Sequence, residues 1–344
     1  MRHAMWRLIS IHYGERVMVH RAVLGLIAFV MLSGCNTQQS AFHPGGPHAD
    51  RVETLSWVMF IGGGLIFLLV IVLTAIAMFV APERRQWMTN RRFIIWLGIV
   101  FPVVTLTALL VYGFTVARHL VTPGSPALRI EVVGEMWWWR VHYLDAQGTP
   151  RLVSANEIRI PTGRPIEFVL KTEDVIHSFW VPSLAGKLDM IPGRTNVYRF
   201  AADRPGIYRG QCAEYCGDQH ALMAFYVVAM ESNDFEAWYA AQIQPAAEPV
   251  VTQLIQGKEL FLQNGCGACH VVRGTPANGA LGPDLTHVGS RLSIAAGTYP
   301  TNVGTLAGWI SSSQHLKPGN LMPSFGNLQG EELRAIAAYL ESLK

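Results

Sequence analysis

The chain has 344 residues, of which 50% are hydrophobic and 15% are charged. A typical soluble domain has about 25% charged residues, so this composition excludes a disordered chain and favours a membrane-associated one. The formal net charge of +3 is too small to indicate a polyanionic partner, and we predict no nucleic-acid binding. Five cysteines are too few for a disulfide-stapled fold.

The first 35 residues have the pattern of a signal peptide. Arginines precede the apolar run Ala22–Leu32, whose length fits the roughly 7–15 residues of a signal h-region. The sequence Leu32–Cys35 then resembles a bacterial lipoprotein cleavage box, in which Cys35 becomes the lipidated first residue. Met18 is an alternative start, and an uncleaved short helix is the alternative to processing. We expect residues 36–54 to form an exported linker.

Two uncharged apolar runs follow, Leu55–Val80 and Phe93–Ala117, with 26 and 25 residues. A helix needs about 20 residues to cross a bilayer, so residues 55–118 are predicted to form a two-helix transmembrane hairpin. Four arginines lie in the loop between the runs, which places that loop in the cytoplasm. The domains at both ends of the chain would then lie on the periplasmic side of a bacterial inner membrane.

Residues 127–232 show a β pattern with frequent glycine and proline turns, which is typical of a sandwich. The expected strands include Trp137–Tyr143, Glu157–Ile160, Ile166–Lys171, Asn196–Ala201 and Ala224–Met230. Residues 233–250 contain a short helical stretch near Phe235–Gln242 and then a proline-rich linker. Residues 251–344 have helical periodicity, with helices expected at Gln253–Gln263, Thr301–Ser311 and Glu331–Leu343.

A cluster of soft metal ligands lies in the twelve residues from Cys212 to Met223, which also include Cys216 and His220. Thiolate, imidazole and thioether together are the ligand set of copper electron-transfer sites. Two thiolates allow two metals to share both sulfurs, and His177 is the best candidate for a further nitrogen ligand. The alternatives are a Cys212–Cys216 disulfide and a tetrahedral zinc site made by the two cysteines and two histidines.

With these residues the chain resembles cytochrome c oxidase subunit II of the haem–copper oxidases. The cluster has that family's pattern Cys-x-Glu-x-Cys-Gly-x-x-His-x-x-Met, and the runs His177–Leu184 and Ile191–Arg194 match its other signature. The resemblance covers residues 50–232 and implies a membrane hairpin, a cupredoxin-like domain and a dinuclear copper centre, CuA. It implies that the coppers are bound by His177, Cys212, Cys216, His220, Met223 and the carbonyl oxygen of Glu214.

The resemblance carries two further expectations and one departure. The Glu214 side chain would bind Mg or Mn at the interface with subunit I. Trp137 would be the electron-entry residue, whereas Trp138 and Trp139 are expected to be packing residues. Many family members have a carboxylate before the second helix, at the mouth of a proton channel, but the run Arg91–Trp96 has none.

The run Cys266-Gly-Ala-Cys269-His270 is the attachment pattern of a c-type haem. Two thioether bonds would fix the porphyrin, and His270 would be the proximal iron ligand. Met322 is the one methionine after Cys269 and lies in a Pro/Gly-rich loop, which makes it the expected distal ligand, with His287 and His315 as rivals. Resemblance to class I cytochromes c places Pro283 near His270. The fifth cysteine, Cys35, is left for the lipid.

The expected fold is therefore multidomain: a transmembrane helix hairpin, an all-β cupredoxin-like sandwich and an all-α class I cytochrome c domain. The resemblance implies an electron-input subunit of a proton-pumping terminal oxidase, which passes electrons from haem c to CuA and on to subunit I, where oxygen is reduced to water. Expected partners are subunits I and III, and a cytochrome c or a quinol–cytochrome c reductase as donor. The alternative is a membrane-anchored redox sensor or metal-binding electron carrier without an oxidase partner. A quinol-oxidase subunit would lack the copper ligands, and a nitrous-oxide reductase would need a large propeller domain.

Overall fold

The computed structural model describes residues 37–119 and 128–344. The predicted signal peptide, the lipobox with Cys35 and the alternative start at Met18 lie outside the described residues.

Two long apolar segments have the length and composition of membrane-spanning helices, and their side chains are exposed rather than packed in a protein core. The first is helix α1, Pro47–Phe79; the second consists of α2, Arg91–Ile95, a π-helical turn, Trp96–Val100, and α3, Phe101–His119. Helix α1 begins at Pro47 and not at Leu55, so the last part of the segment predicted as an exported linker, residues 36–54, is helical. Proline suits a first helical turn because that turn has no intrahelical partner for the missing N–H.

The start of α1 is fixed to the β domain, which comprises residues 128–230. Backbone hydrogen bonds run from Gly45 N to Ser183 O (2.7 Å), from Ala49 N to Leu184 O (3.2 Å) and from Asp203 N to Gly45 O (2.7 Å). Ala49 is 2% exposed. Gly46 is pressed so closely against the backbone of the domain that a Cβ there would collide with the carbonyl oxygen of Ala201.

The β domain is a sandwich of ten strands in two sheets. The strands are β1 Leu128–Glu135, β2 Trp138–Leu144, β3 Pro150–Ala155, β4 Glu157–Pro161, β5 Ile166–Thr172, β6 His177–Trp180, β7 Leu188–Met190, β8 Asn196–Phe200, β9 Gly206–Cys212 and β10 Ala224–Met230. The two five-stranded sheets have the strand orders β3-β2-β1-β5-β8 and β4-β10-β9-β6-β7. Strands β1 and β5 pair in parallel, as do β4 and β10, and the other pairs are antiparallel. Aromatic side chains fill the space between the sheets, among them Trp139, Phe168, Phe179 and Phe225, each at most 1% exposed. This burial of alternate residues is what the β pattern in the sequence predicts.

Helix α4, Ser232–Gln242, follows the β domain and includes the predicted helical stretch; after this helix, the helical domain comprises residues 252–344. Its helices are α5 Thr252–Gln263, α6 Val303–Leu316 and α7 Gly330–Ser342, with a short hairpin of β11 Ser293–Ile294 and β12 Tyr299–Pro300. Gly257 lets α5 approach α7 closely, because a Cβ there would collide with the backbone of Ala335. Short 3₁₀ turns are Thr37–Gln39, Pro82–Arg84, Gln86–Thr89, His220–Leu222, Cys266–Ala268 and Val288–Ser290.

The helical domain is packed against the β domain by polar contacts that the sequence does not reveal. Ala224 N donates to Ala296 O (3.0 Å), and Leu292 N donates to Glu157 Oε2 (2.7 Å). The helical domain therefore has a defined position on the sandwich. The expected fold class, with its helix hairpin, β sandwich and helical domain, is confirmed.

Candidate metal centre and haem site

The predicted copper ligands converge at one end of the sandwich. His177 is the first residue of β6 and Cys212 the last residue of β9, and these strands are neighbours in one sheet. Cys216, His220 and Met223 lie in the connection from β9 to β10. Strand pairing thus brings His177 next to a ligand cluster that follows it by 35 residues.

The distances between donor atoms are those of one compact cluster. The Sγ atoms of Cys212 and Cys216 are 3.8 Å apart, Cys212 Sγ is 3.8 Å from His177 Nδ1, and Cys216 Sγ is 3.6 Å from His220 Nδ1. The Sδ atom of Met223 is 3.8 Å from Cys216 Sγ. The sulfurs of Cys212 and Cys216 are therefore central, and each has a different histidine beside it.

This donor set fits copper better than the two alternatives. Both cysteines are free thiols in the structure, whereas the disulfide alternative requires them to be bonded. Tetrahedral zinc would use four ligands and would leave the buried Met223 thioether, 1% exposed, without a role. A thioether beside thiolates and imidazoles is a copper environment.

The thiols of Cys212 and Cys216 interact with each other, and this interaction shifts their pKa values in opposite directions. A hydrogen bond from Cys216 lowers the pKa of Cys212 to about 3, and the same interaction, with burial, raises the pKa of Cys216. Metal binding by both sulfurs requires both thiols to be deprotonated.

His177 is held in a ligand-ready orientation by a neighbouring carboxylate. Its Nε2 lies 2.8 Å from Asp174 Oδ1, while its Nδ1 faces Cys212. Burial lowers the pKa of His177, but the hydrogen bonds to Cys212 and Asp174 outweigh that effect and raise it. Asp174 also accepts from the backbone N of Met136 (2.6 Å) and so joins the β1–β2 connection to the cluster. The sequence analysis did not identify Asp174, although a carboxylate three residues before a ligating histidine is a signal that could be searched for.

Glu214 has two different environments. Its carbonyl oxygen lies 3.2 Å from Cys212 Sγ, beside the cluster, as the resemblance implies for an axial ligand. Its carboxylate points away and pairs with Lys187 (3.1 Å), which also contacts Asp189 (3.2 Å). The hydrogen bonds to Glu214 and Asp189 raise the pKa of Lys187.

The three consecutive tryptophans differ in what they contact. Trp137 Nε1 donates to the carbonyl oxygen of Cys216 (2.8 Å), so its ring is joined directly to a predicted copper ligand. Trp139 is fully buried in the core and packs edge-on against Phe225 at 5.0 Å. Trp138 lies on the other face of β2, where Arg140 is stacked 4.6 Å from its ring centre. The packing role expected for Trp139 agrees with this placement.

The haem attachment segment folds as a 3₁₀ turn, Cys266–Ala268, followed by Cys269 and His270. Nδ1 of His270 is 2.8 Å from the carbonyl oxygen of Pro283, which leaves Nε2 free to bind iron. The expected position of Pro283 near His270 is thus confirmed. Burial lowers the pKa of His270, which favours the neutral imidazole that a metal requires.

The loop with Met322 is organised by the side chain of Asn320. Asn320 Nδ2 donates to Lys317 O (2.7 Å), and its Oδ1 accepts from Met322 N (2.8 Å). Met322 and Cys266 both pack at the edge of the same core cluster, and Leu321 beside Met322 is 91% exposed. Free thiols, a neutral imidazole and a thioether on one apolar core fit a covalent haem with Met/His ligation.

The rival distal ligands have other environments. Both ring nitrogens of His287 are engaged, Nδ1 with Lys344 O (3.1 Å) and Nε2 with Gln244 O (3.0 Å). His315 is exposed. These positions support Met322 over both histidines.

Lys317 is a further residue at this site that the sequence analysis missed. It is 3% exposed and donates from Nζ to the carbonyl oxygens of Trp137 (2.6 Å) and Leu222 (2.9 Å) in the β domain. Burial lowers its pKa to about 7, while the nearby Cys216 acts in the opposite direction.

Comparison with known proteins agrees with this division into domains. The family model of the cytochrome c oxidase subunit II periplasmic domain matches residues 128–230, and the cytochrome c model matches residues 254–344. The chain is 40% identical over 221 residues to cytochrome c oxidase subunit 2 of Alkalihalophilus pseudofirmus, an alignment that covers 64% of this chain and 63% of that protein. It is 32% identical over 230 residues to the Bacillus subtilis protein of the same name, with 63% of each chain covered.

The aligned part therefore spans less than two thirds of these curated relatives. A crystal structure of the periplasmic domain of cytochrome oxidase subunit II from Bradyrhizobium japonicum is 29% identical and covers 35% of this chain and 96% of that one, with a TM-score of 0.33. The two family models show that the chain contains a domain similar to the periplasmic domain of cytochrome c oxidase subunit II, followed by a domain similar to cytochrome c.

Proposed function

We propose that this chain is the electron-input subunit of a haem–copper terminal oxidase and passes electrons from its own haem c to a dinuclear CuA centre. The observation that carries the proposal is the cluster of two central thiols with one histidine beside each, at 3.8 Å and 3.6 Å. Bound copper and haem would supply one-electron redox chemistry at a high potential. The remaining steps concern the residues of this chain.

In this proposal the thiolates of Cys212 and Cys216, the imidazoles of His177 and His220, the Met223 thioether and the carbonyl oxygen of Glu214 would hold the two coppers. Cys266 and Cys269 bind the haem covalently, with His270 and Met322 at the iron. Trp137 is the electron-entry residue, which its hydrogen bond to the Cys216 carbonyl supports.

The assembly around the chain follows from the same proposal. The chain would deliver electrons to the haem–copper centre of subunit I, where oxygen would be reduced to water with proton pumping, and subunit III would complete the complex. The Glu214 carboxylate, which pairs with Lys187 here, binds Mg or Mn at the subunit I interface. The donor is a cytochrome c or a quinol–cytochrome c reductase. The predicted signal peptide with its lipobox and the arginine-rich loop support a position of the β and helical domains outside a bacterial inner membrane.

Metal analysis of paired variants tests the cofactor assignment. The full chain in detergent should contain two coppers per iron. Cys212→Ser should lose copper and retain iron, because only the bridging sulfur is changed, whereas a Cys266→Ser/Cys269→Ser variant should lose covalent haem and retain two coppers. One copper or one zinc per iron in the unchanged chain would contradict the dinuclear site.

Co-purification tests the partner. A polytopic haem protein should be recovered with the tagged chain from native membranes. Recovery of the metal-loaded chain without such a protein would favour the sensor or carrier function.

A further inference from the structure

A lysine from the helical domain is buried in the β domain beside the copper ligands. Lys317 Nζ donates to Trp137 O (2.6 Å) and to Leu222 O (2.9 Å). Among the described ion pairs none involves Lys317, so carbonyl dipoles replace its hydration. Burial of the lysine head group is unfavourable unless such hydrogen-bond partners are well placed, which makes this contact sensitive to the arrangement of the two domains.

Both acceptors belong to segments that surround the predicted copper site. Leu222 is adjacent to Met223, and Trp137 is hydrogen-bonded through its ring to Cys216 O (2.8 Å). The lysine therefore contacts the backbone on two sides of the cluster, not a distant part of the sandwich.

The residues after Lys317 extend the same contact. Pro318 O accepts from Gln219 Nε2 (2.8 Å). Gly319 has a φ of +80° and lies against the Trp137 ring, where a Cβ would be 3.5 Å from its outer edge. Three consecutive residues thus dock on the β domain where the Met322 loop begins.

Hydrogen bonds within the loop link the position of Lys317 to the position of Met322. Asn320 bonds both to Lys317 O and to Met322 N, at 2.7 Å and 2.8 Å, and Gln314 Nε2 donates to Met322 O (2.7 Å). A shift of Lys317 would therefore move the predicted iron ligand relative to Trp137.

We propose that Lys317 is a positioning residue that fixes the helical domain in one docked arrangement, with the Met322 loop against Trp137, and so sets the rate of internal electron transfer. This inference rests on the proposed function. Electron transfer then takes place within a contact that already exists between the two domains. The helical domain does not have to diffuse on its linker to reach the copper acceptor.

The test measures electron transfer within the metal-loaded full chain. A light-driven soluble reductant would reduce the haem, and copper reduction would be followed by absorbance in buffers of increasing glycerol content. In the unchanged chain the rate should be independent of viscosity. In Lys317→Leu it should fall about tenfold or more, because both hydrogen bonds from Nζ to the β domain are lost, and it should decrease with viscosity because the domains must re-dock.

Lys344→Leu is the matched control, since that lysine is in the same domain and its side chain is 61% exposed; its rate should equal that of the unchanged chain. Lys317→Gln keeps an N–H donor and should give an intermediate rate that depends on viscosity. Each variant should contain two coppers and one iron and should have unchanged midpoint potentials. A variant that meets these criteria has undamaged metal sites, so a change in its transfer rate reports on docking. If Lys317→Leu does not meet these criteria, the transfer rate of Lys317→Gln and its dependence on viscosity test the role of Lys317 instead.

Transfer within about twofold of the unchanged rate, without viscosity dependence, in a variant that meets these criteria would overturn the role of Lys317. Absence of copper reduction in the unchanged chain would instead overturn the proposed function.

Discussion

Gly282→Ala is expected to disturb the proximal haem ligand through a single added methyl group. A Cβ at Gly282 would lie 2.5 Å from Cε1 and 2.8 Å from Nδ1 of His270. Ordinary contacts between carbon atoms are about 3.5–4.0 Å, so the imidazole would have to move by roughly 1 Å. His270 cannot move freely because Pro283 O binds its Nδ1 and the proposed iron binds its Nε2. Overpacking of this kind costs about 1–3 kcal/mol.

The assay is denaturant unfolding of the helical domain in the full chain, with and without covalent haem. We expect the variant to lose about 1–3 kcal/mol of unfolding free energy in the haem-loaded chain. Without haem the loss should be smaller, because one hydrogen bond, worth roughly 0.5–1.5 kcal/mol, then holds the ring. Gly330→Ala is the control, since nothing lies within 4 Å of a Cβ there. Equal losses with and without haem would refute the claim that iron and Pro283 jointly fix His270.

Three further predictions concern the β domain, and four substitutions test them. Trp139→Ala should cost about 3–5 kcal/mol of unfolding free energy because the ring is fully buried, whereas Trp138→Ala should cost less than about 1 kcal/mol, the scale of its contact with Arg140; equal costs would contradict their placement. Asp174→Asn should weaken copper binding by about 10–100-fold in a chelator competition, since it removes the charge behind His177; unchanged affinity would exclude that role. The hydrogen bonds that Glu131 makes with His142 and with Lys171 lower its pKa from 4.5 to about 2. The ionised Glu131 side chain therefore stabilises the fold fully above pH 4.5, and this stabilisation is lost as the pH falls toward 2. Glu131→Gln should therefore be less stable than the unchanged chain at pH 6 by on the order of 1 kcal/mol, after allowance for solvent screening, and this gap should narrow at pH 3; a gap that does not change with pH would contradict the assignment.

Strands with regular alternation were predictable, and strands interrupted by glycine or proline were not. Ala224–Met230 was predicted with its observed bounds. Strand β9, Gly206–Cys212, was missed because glycine usually indicates a turn, whereas Gly210 is there because a Cβ would collide with the Phe225 ring. The first turns of α1 contain polar residues such as His48 and were read as linker, yet His48 is 4% exposed against the β domain.

The ligand cluster was predictable because most of it lies within twelve residues and each side chain has a recognisable chemistry. His177 was identified as the best candidate for a further nitrogen ligand and through the family resemblance. Lys317 was missed because nothing near it in sequence indicates burial, and its acceptor Trp137 is 180 residues away. Contacts between domains depend on the tertiary arrangement and leave no local pattern in the chain.

The attachment of α1 to the sandwich couples the copper site to the lipid. Because Gly45 and Ala49 are hydrogen-bonded to the backbone of the β domain, a membrane-spanning α1 and the sandwich would tilt as one body. Helices adjust their tilt to the thickness of the bilayer. Acyl-chain length would therefore change the angle at which the copper domain and its docked haem domain are presented to an approaching donor.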